Sequence, residues 1–175
     1  MVANEPAYGF RLYRQFLQEK WGESMCIPEW SELSEKYGFD IYYYDLPNTL
    51  MTPNGIICPP APDLLNITFS GMVKYGFKGG FIYGNPIWPA FAPGNYTIAK
   101  LFWNPDQNAH DILEEFYQAE YGFKSGIYIG KIFHLLDTVY ASFYNRNPGA
   151  GHILTELYLK EIYAPNYEII EHYYL

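Results

Sequence analysis

The chain has 175 residues, of which 49% are hydrophobic and only 17% charged. That is one domain of ordinary size with enough apolar material for a core, and it excludes a disordered chain, which needs more charge and fewer aromatics. A net charge of −8 and a pI near 4.9 weigh against nucleic acid and anionic membrane surfaces as partners, since both call for clustered Lys and Arg.

In chain order, Asn4 is placed to cap a helix with Pro6 in its first turn, carrying Tyr8, Leu12, Phe16 and Leu17 at helical spacing and ending at Gly22. Pro28 opens a shorter helix through Trp30, Leu33 and Tyr37, stopped by Gly38. Phe39–Asp45 reads as a strand: short, aromatic and β-branched, and bounded by Gly38 and Pro47. Its poor alternation suits a strand of a parallel sheet covered on both faces. Residues 46–62 form a Pro-rich loop. Asp63 then caps a helix through Leu64, Leu65, Phe69 and Met72 that ends at Tyr75-Gly76. Lys78–Tyr83 is a second strand. Together these elements make a βαβ unit with parallel strands and a right-handed crossover.

A second loop carries Pro86, Pro89 and Pro93, with Trp88 and Phe91 among its aromatics. Beyond it the pattern is helical. One helix ends near Trp103, a second runs from Asn108 to Tyr121, and a third runs from Phe123 to Tyr144. A last helix holds Ile153 to Ile162, and the tail from Tyr167 has no clear assignment. No internal repeat is present. No run approaches the ~18 apolar residues of a membrane span. Met1–Glu5 lacks the basic start and apolar run of a signal peptide, so the chain is either cytoplasmic or its first residue is not the native start of a larger secreted protein.

The chain has 19 tyrosines. Each offers a flat apolar face and a polar tip, which suits polyhydroxylated ligands and equally suits a core with a wet rim. Cys26 and Cys58 are read as free buried thiols, although one disulfide is compatible with the sequence. Asn66-Ile67-Thr68 and Asn95-Tyr96-Thr97 match the short glycosylation pattern. His110, His134, His152 and His172 are too widely spaced for a helical metal site, and His134, on an apolar stripe, reads as a core histidine. No phosphate-binding glycine loop or nucleophile elbow occurs, and no cofactor is implied.

In α/β barrels, working groups sit where strands end and loops begin. That rule selects Tyr44 and Asp45 after the first strand and Gly84 and Asn85 after the second, with Trp88 as a sugar platform or a loop anchor. Asp45 is the acid placed for glycosidic chemistry, or else it bonds its own backbone before Leu46-Pro47. The acids Glu114, Glu115, Glu120, Glu156 and Glu161 fall on solvated helix faces.

Several segments in order carry a resemblance. They are Trp30, then Tyr42-Tyr43-Tyr44-Asp45, then Tyr75-Gly76-Phe77-Lys78-Gly79-Gly80-Phe81, and then Ala99–Asp106 with its Trp103-Asn104-Pro105-Asp106, followed by Phe116-Tyr117 and Tyr121-Gly122. Over residues 1 to about 145 the chain resembles a bacterial domain-of-unknown-function family of glycoside hydrolase-like proteins, of the alpha-glucuronidase barrel type. The resemblance implies an α/β, helix-rich fold: the C-terminal portion of a (β/α)8, TIM-like barrel, with one parallel βαβ unit (strands about 39–45 and 79–83) followed by helices. Residues 1–93 would be the partial barrel and residues 94–175 the closing and appended helices of the same domain. On that resemblance, earlier strands of the barrel would be expected before this part.

The resemblance further implies a carbohydrate ligand, a substrate cleft lined by Tyr44, Asn85 and Trp88, and Asp45 as the catalytic candidate. Gly84-Asn85 stands where an acid would be expected, which weakens independent catalysis. A full-length parent would be periplasmic or extracellular. Self-association or a separate barrel portion would cover the exposed seam. Three readings stay open: a glycoside hydrolase-like barrel fragment, a non-catalytic carbohydrate-binding module, and a helical protein-interaction domain.

Overall fold

The computed structural model describes residues 2–4, 27–45, 60–82, 88–146, 160 and 164–174. The elements, in chain order, are β1 (Val2–Asn4), α1 (Ile27–Tyr37), β2 (Tyr42–Asp45), α2 (Pro62–Lys74), β3 (Gly80–Ile82), α3 (Trp88–Trp103), α4 (Ala109–Arg146) and α5 (Ala164–Tyr174). The fold is α/β and helix-rich. Its three strands form one sheet in the order β1-β2-β3, and both pairs are parallel.

The expected βαβ unit is present. Tyr43 lies opposite Gly80 and Asp45 opposite Ile82, and α2 makes the crossover. The strand at Val2–Asn4 is an addition to the sequence reading, which placed no strand before β2. The strand pairs in parallel with Tyr42–Tyr44, and a capping residue keeps extended backbone, so Asn4 in a strand is compatible with a helix starting after it. The helix expected over residues 5–20, the loop at 46–59, Cys26, Cys58 and, apart from Lys160, the helix expected over Ile153–Ile162 lie outside the described residues.

The helix ends follow local chemistry. Gly38, at φ 71°, closes α1 by donating its N–H to Ser34 O at 2.8 Å. At the end of α2, Phe77 N–H reaches Met72 O at 3.0 Å and Gly76 N–H reaches Val73 O at 3.1 Å. With Gly76 at φ 70°, this is a Schellman cap, and its two apolar flanks, Met72 and Phe77, join the same core cluster. Asp63 does not cap α2 as expected. The cap position is Ala61, in a left-handed conformation (φ 49°, ψ 61°) and followed by Pro62.

The helix α3 begins at Trp88 and contains Pro93, so the loop expected to run through Pro93 gives way to helix and Phe91 is buried. Proline lacks the N–H that an interior helical position donates. It is tolerated here in a fully buried setting, where the Thr97 hydroxyl donates to Pro93 O at 2.8 Å. The division placed between residues 93 and 94 falls inside this helix. The two helices expected on either side of Gly122 are present as two arms of α4, because Gly122 takes a non-helical φ 77°, ψ 160°. The tail from Tyr167 falls within the helix α5.

One core cluster joins Ile27 of α1, Tyr43 of β2, Leu64, Leu65, Phe69 and Met72 of α2, Ile98 and Leu101 of α3, and Ile112 of α4. The helices on both sides of β2 in sequence therefore pack on the Tyr43 face. The packing of α3 on this face is so close that a Cβ on Gly80 would lie 2.7 Å from the Phe102 ring. On the other face Tyr44 meets Phe81 at 4.7 Å between ring centroids, and Tyr42 and Phe81 remain 40% and 52% exposed. A second cluster, Ala92, Leu113, Phe116, Tyr117 and Phe133, holds the two arms of α4 against each other and against α3.

Candidate functional site

The start of α4 is built by the Trp103-Asn104-Pro105-Asp106 turn and two asparagines. The Asn104 side chain accepts the Asp106 N–H at 3.1 Å, an Asx turn that ends α3. Asn108 accepts the His110 N–H at 2.8 Å. Asn66, on α2, accepts the Ala109 N–H at 2.8 Å. Two of the orphan donors of α4 are thus satisfied, one of them from another helix. This fixes the first turn of α4 beside the first turn of α2, where His110 Nε2 meets Asp63 Oδ1 at 2.7 Å.

The two arms of α4 meet through glycines. A Cβ on Gly126 would lie 2.5 Å from Tyr117 O, and one on Gly130 would lie 3.1 Å from the Tyr117 ring. The Tyr117 ring therefore rests in a notch and stacks on Phe133 (5.3 Å, 18°). Between this junction, the start of α2 and the helix α5 runs a groove of about 610 Å³. Its walls include His110, Tyr117, Gln118, His134, Asp137 and Tyr173.

Asp137 is the unusual member. Its residue is 8% exposed, and its Oδ1 has no hydrogen-bond partner among the described residues. Burial, reinforced by the negative charge of Asp63, raises its carboxyl from the ordinary 3.8 to about 7, against the opposing pull of His110 and of a hydrogen bond from the Ala61 backbone. The left-handed turn at Ala61 thus places a backbone donor against this carboxyl. Burial, and then the nearby Asp137 charge, also push the Tyr117 phenol upward. A carboxyl that gains and loses its proton near neutrality beside an Asp–His pair is suited to donating and accepting protons.

The residues selected from sequence are placed differently. Tyr44 sits on the sheet face opposite the core, against Phe81. Asp45 ends β2, in register with Ile82, and Trp88 opens α3; both are described by backbone alone. Asn85 lies outside the described residues. Tyr44 does not line the groove. His134, expected in the core, is exposed on the groove wall. Sequence reading missed Asp137, whose signal was available: it interrupts the stripe of Phe133, Leu136 and Val139 with a charge, which a packed helix face rejects unless the carboxyl has a role.

The two glycosylation-like triplets have structural duties. Asn66 caps α4, Thr68 is buried, and Asn95 and Thr97 are buried within α3. Glu115 is exposed, as expected, and binds Tyr96 Oη at 2.7 Å and Lys100 Nζ at 3.0 Å. No group of residues suited to holding a metal occurs among the described residues, and among them no helix is long and apolar enough to cross a membrane.

No protein-family model, curated protein or solved structure matches the chain.

Proposed function

We propose that this protein binds a carbohydrate or a similar polyhydroxylated small molecule in the groove between α2, α4 and α5. The observation that carries this reading is Asp137, a buried carboxyl with an unpartnered oxygen set in the wall of a groove that also holds Tyr117 and Tyr173. A groove of about 610 Å³ is of small-ligand size. The Tyr173 ring offers an apolar face to a sugar's C–H groups, while a carboxyl, the Gln118 amide and the imidazoles take its hydroxyls. Burying Asp137 without a partner costs stability, and a rotation of its side chain toward the groove would let a ligand hydroxyl supply that partner.

The test is saturation-transfer NMR and calorimetry against a panel of mono- and disaccharides. Binding should be lost in Gln118→Arg, which blocks the groove from an exposed position, and weakened in Asp137→Leu. Absence of binding across the panel, or binding that survives Gln118→Arg unchanged, removes the reading.

A second reading concerns ancestry and is favoured by the sheet. The order β1-β2-β3 has no reversal, and α1, α2 and α3 pack toward one face. A singly wound parallel sheet of this kind is what consecutive units of a (β/α)8 barrel present. In that reading the exposed Tyr42, Tyr44 and Phe81 face is a barrel interior. The expected cleft at Tyr44, Asp45, Asn85 and Trp88 then belongs to the strands' C-terminal ends. Hydrolysis of a chromogenic glycoside, abolished by Asp45→Asn with sugar binding intact, would place the chemistry there. The same hydrolysis surviving Asp45→Asn would remove that residue from it.

A further inference from the structure

We propose that the groove is a proton-transfer site in which Asp137 is the acid and His110, held by Asp63, is the base, acting on an open-chain sugar or similar hydroxycarbonyl compound. This deepens the sugar-binding reading and depends on it.

The two groups come from different arms of α4 and line the same groove. Asp63 Oδ1, 2.7 Å from His110 Nε2, holds a proton on that nitrogen and leaves Nδ1 to take another. This is the orienting role a carboxylate plays toward a catalytic imidazole. Asp137 has Oδ1 unpaired, while the Ala61 backbone steadies the carboxyl. Its burial keeps the proton available at neutral pH, as an acid requires. The charges that act on it are Asp63 on α2 and His110 on the first arm of α4, and the groove it lines also carries Glu114 and Tyr117 on that arm, Lys131 and His134 on the second, and Tyr173 on α5. The Lys131 ammonium lies 5.6 Å from the Tyr128 ring centroid and 5.5 Å from that of Tyr173.

The step balances within the substrate. His110 Nδ1 takes the proton from the carbon beside the carbonyl. The released C–H pair becomes the C=C of an enediol, and the C=O π pair moves onto oxygen, which takes the Asp137 proton. In return, the Asp137 carboxylate accepts the proton of the neighbouring hydroxyl, whose oxygen becomes the new carbonyl. His110 delivers its proton to the former carbonyl carbon. An aldose becomes a ketose, both residues are restored, and no electrons are gained or lost.

The test uses the full chain in D2O with a panel of aldoses and ketoses from three to six carbons, followed by proton NMR. Solvent deuterium should enter at the carbon beside the carbonyl and the isomer should accumulate. Asp137→Asn and His110→Gln should each lower the rate by about 100-fold or more, with the helical circular dichroism retained. Asp63→Asn, a positioning change, should lower kcat more than it raises KM. Binding without deuterium entry would overturn the proton-transfer assignment and leave the binding reading standing. Exchange that persists in Asp137→Asn would overturn the assignment of the acid. Loss of binding across the panel would remove both.

Discussion

At the scale of single residues, Asp137 sets the most direct test. In the unfolded chain its carboxyl ionises near the ordinary 3.8, and in the fold only at about 7. Between those values the folded state holds the extra proton, so this residue's contribution to stability falls as pH rises through the window and levels off above it. The slope from one such group is at most ~1.4 kcal/mol per pH unit. Asp137→Asn removes it. Melting curves from pH 5 to pH 8 should show the parent losing stability relative to the variant as pH rises, and parallel curves would show that the carboxyl is not buried as described. A second residue measures the core. Leu101 is fully buried, and Leu101→Ala should cost about 2–5 kcal/mol in urea unfolding, far more than Trp103→Ala two positions on, where the side chain is 89% exposed.

What the sequence revealed at this scale depended on range. Gly38, Gly76 and Gly122 could be read as breaks because a glycine at a positive φ acts through its own backbone. Asp137 and His110 could not be paired by reading, because their relation is made by the folding of α4 back on itself. His134 was assigned to the core by a stripe whose buried members prove to be Ile132, Phe133 and Leu136. A shift of one or two positions on a helix turns a side chain from the core to the groove.

At the scale of elements, the junction between the arms of α4 governs the groove. Gly122 occupies a region of backbone space that is essentially reserved for glycine (φ 77°, ψ 160°), so Gly122→Ala should cost roughly 1–3 kcal/mol. Gly126→Ala should be damaging for another reason, since its methyl would meet the Tyr117 backbone carbonyl at 2.5 Å and backbone cannot step aside cheaply. Far-UV circular dichroism should show helix retained in both variants. Thermal melts should show the loss, and an unchanged Gly126→Ala melt would contradict the packing. The helical elements were largely legible because each carries its own period and stop signal. The exceptions were the first turns of α3, where three prolines argued for a loop and burial prevailed, and β1, where three residues are too few to show a period.

At the scale of the whole molecule, the described helices pack on the Tyr43 face of the sheet, while on the other face, among the described residues, Tyr42 and Phe81 stand exposed. Parallel sheets are ordinarily covered on both faces, and an aromatic surface left to water favours association. Light scattering should detect concentration-dependent self-association that is reduced by Tyr42→Lys with Phe81→Lys. A monomer at all concentrations in the parent would show that the open face needs no partner. The parallel βαβ unit was legible because aromatic runs bounded by glycine and proline define strands. The side of the sheet left uncovered was not, since that depends on where three separate helices pack.

The ties that join the starts of α2 and α4 are long in sequence: Asp63 to His110 spans 47 positions and Asn66 to Ala109 spans 43. Such contacts carry a high loop-closure cost, because long stretches of chain must be brought together before they are rewarded. The groove is walled by elements that these ties bring together, so it belongs to the folded state. A molecule that occupies it binds the finished state alone, so each tenfold rise in its concentration above saturation should add ~1.4 kcal/mol to the work of unfolding.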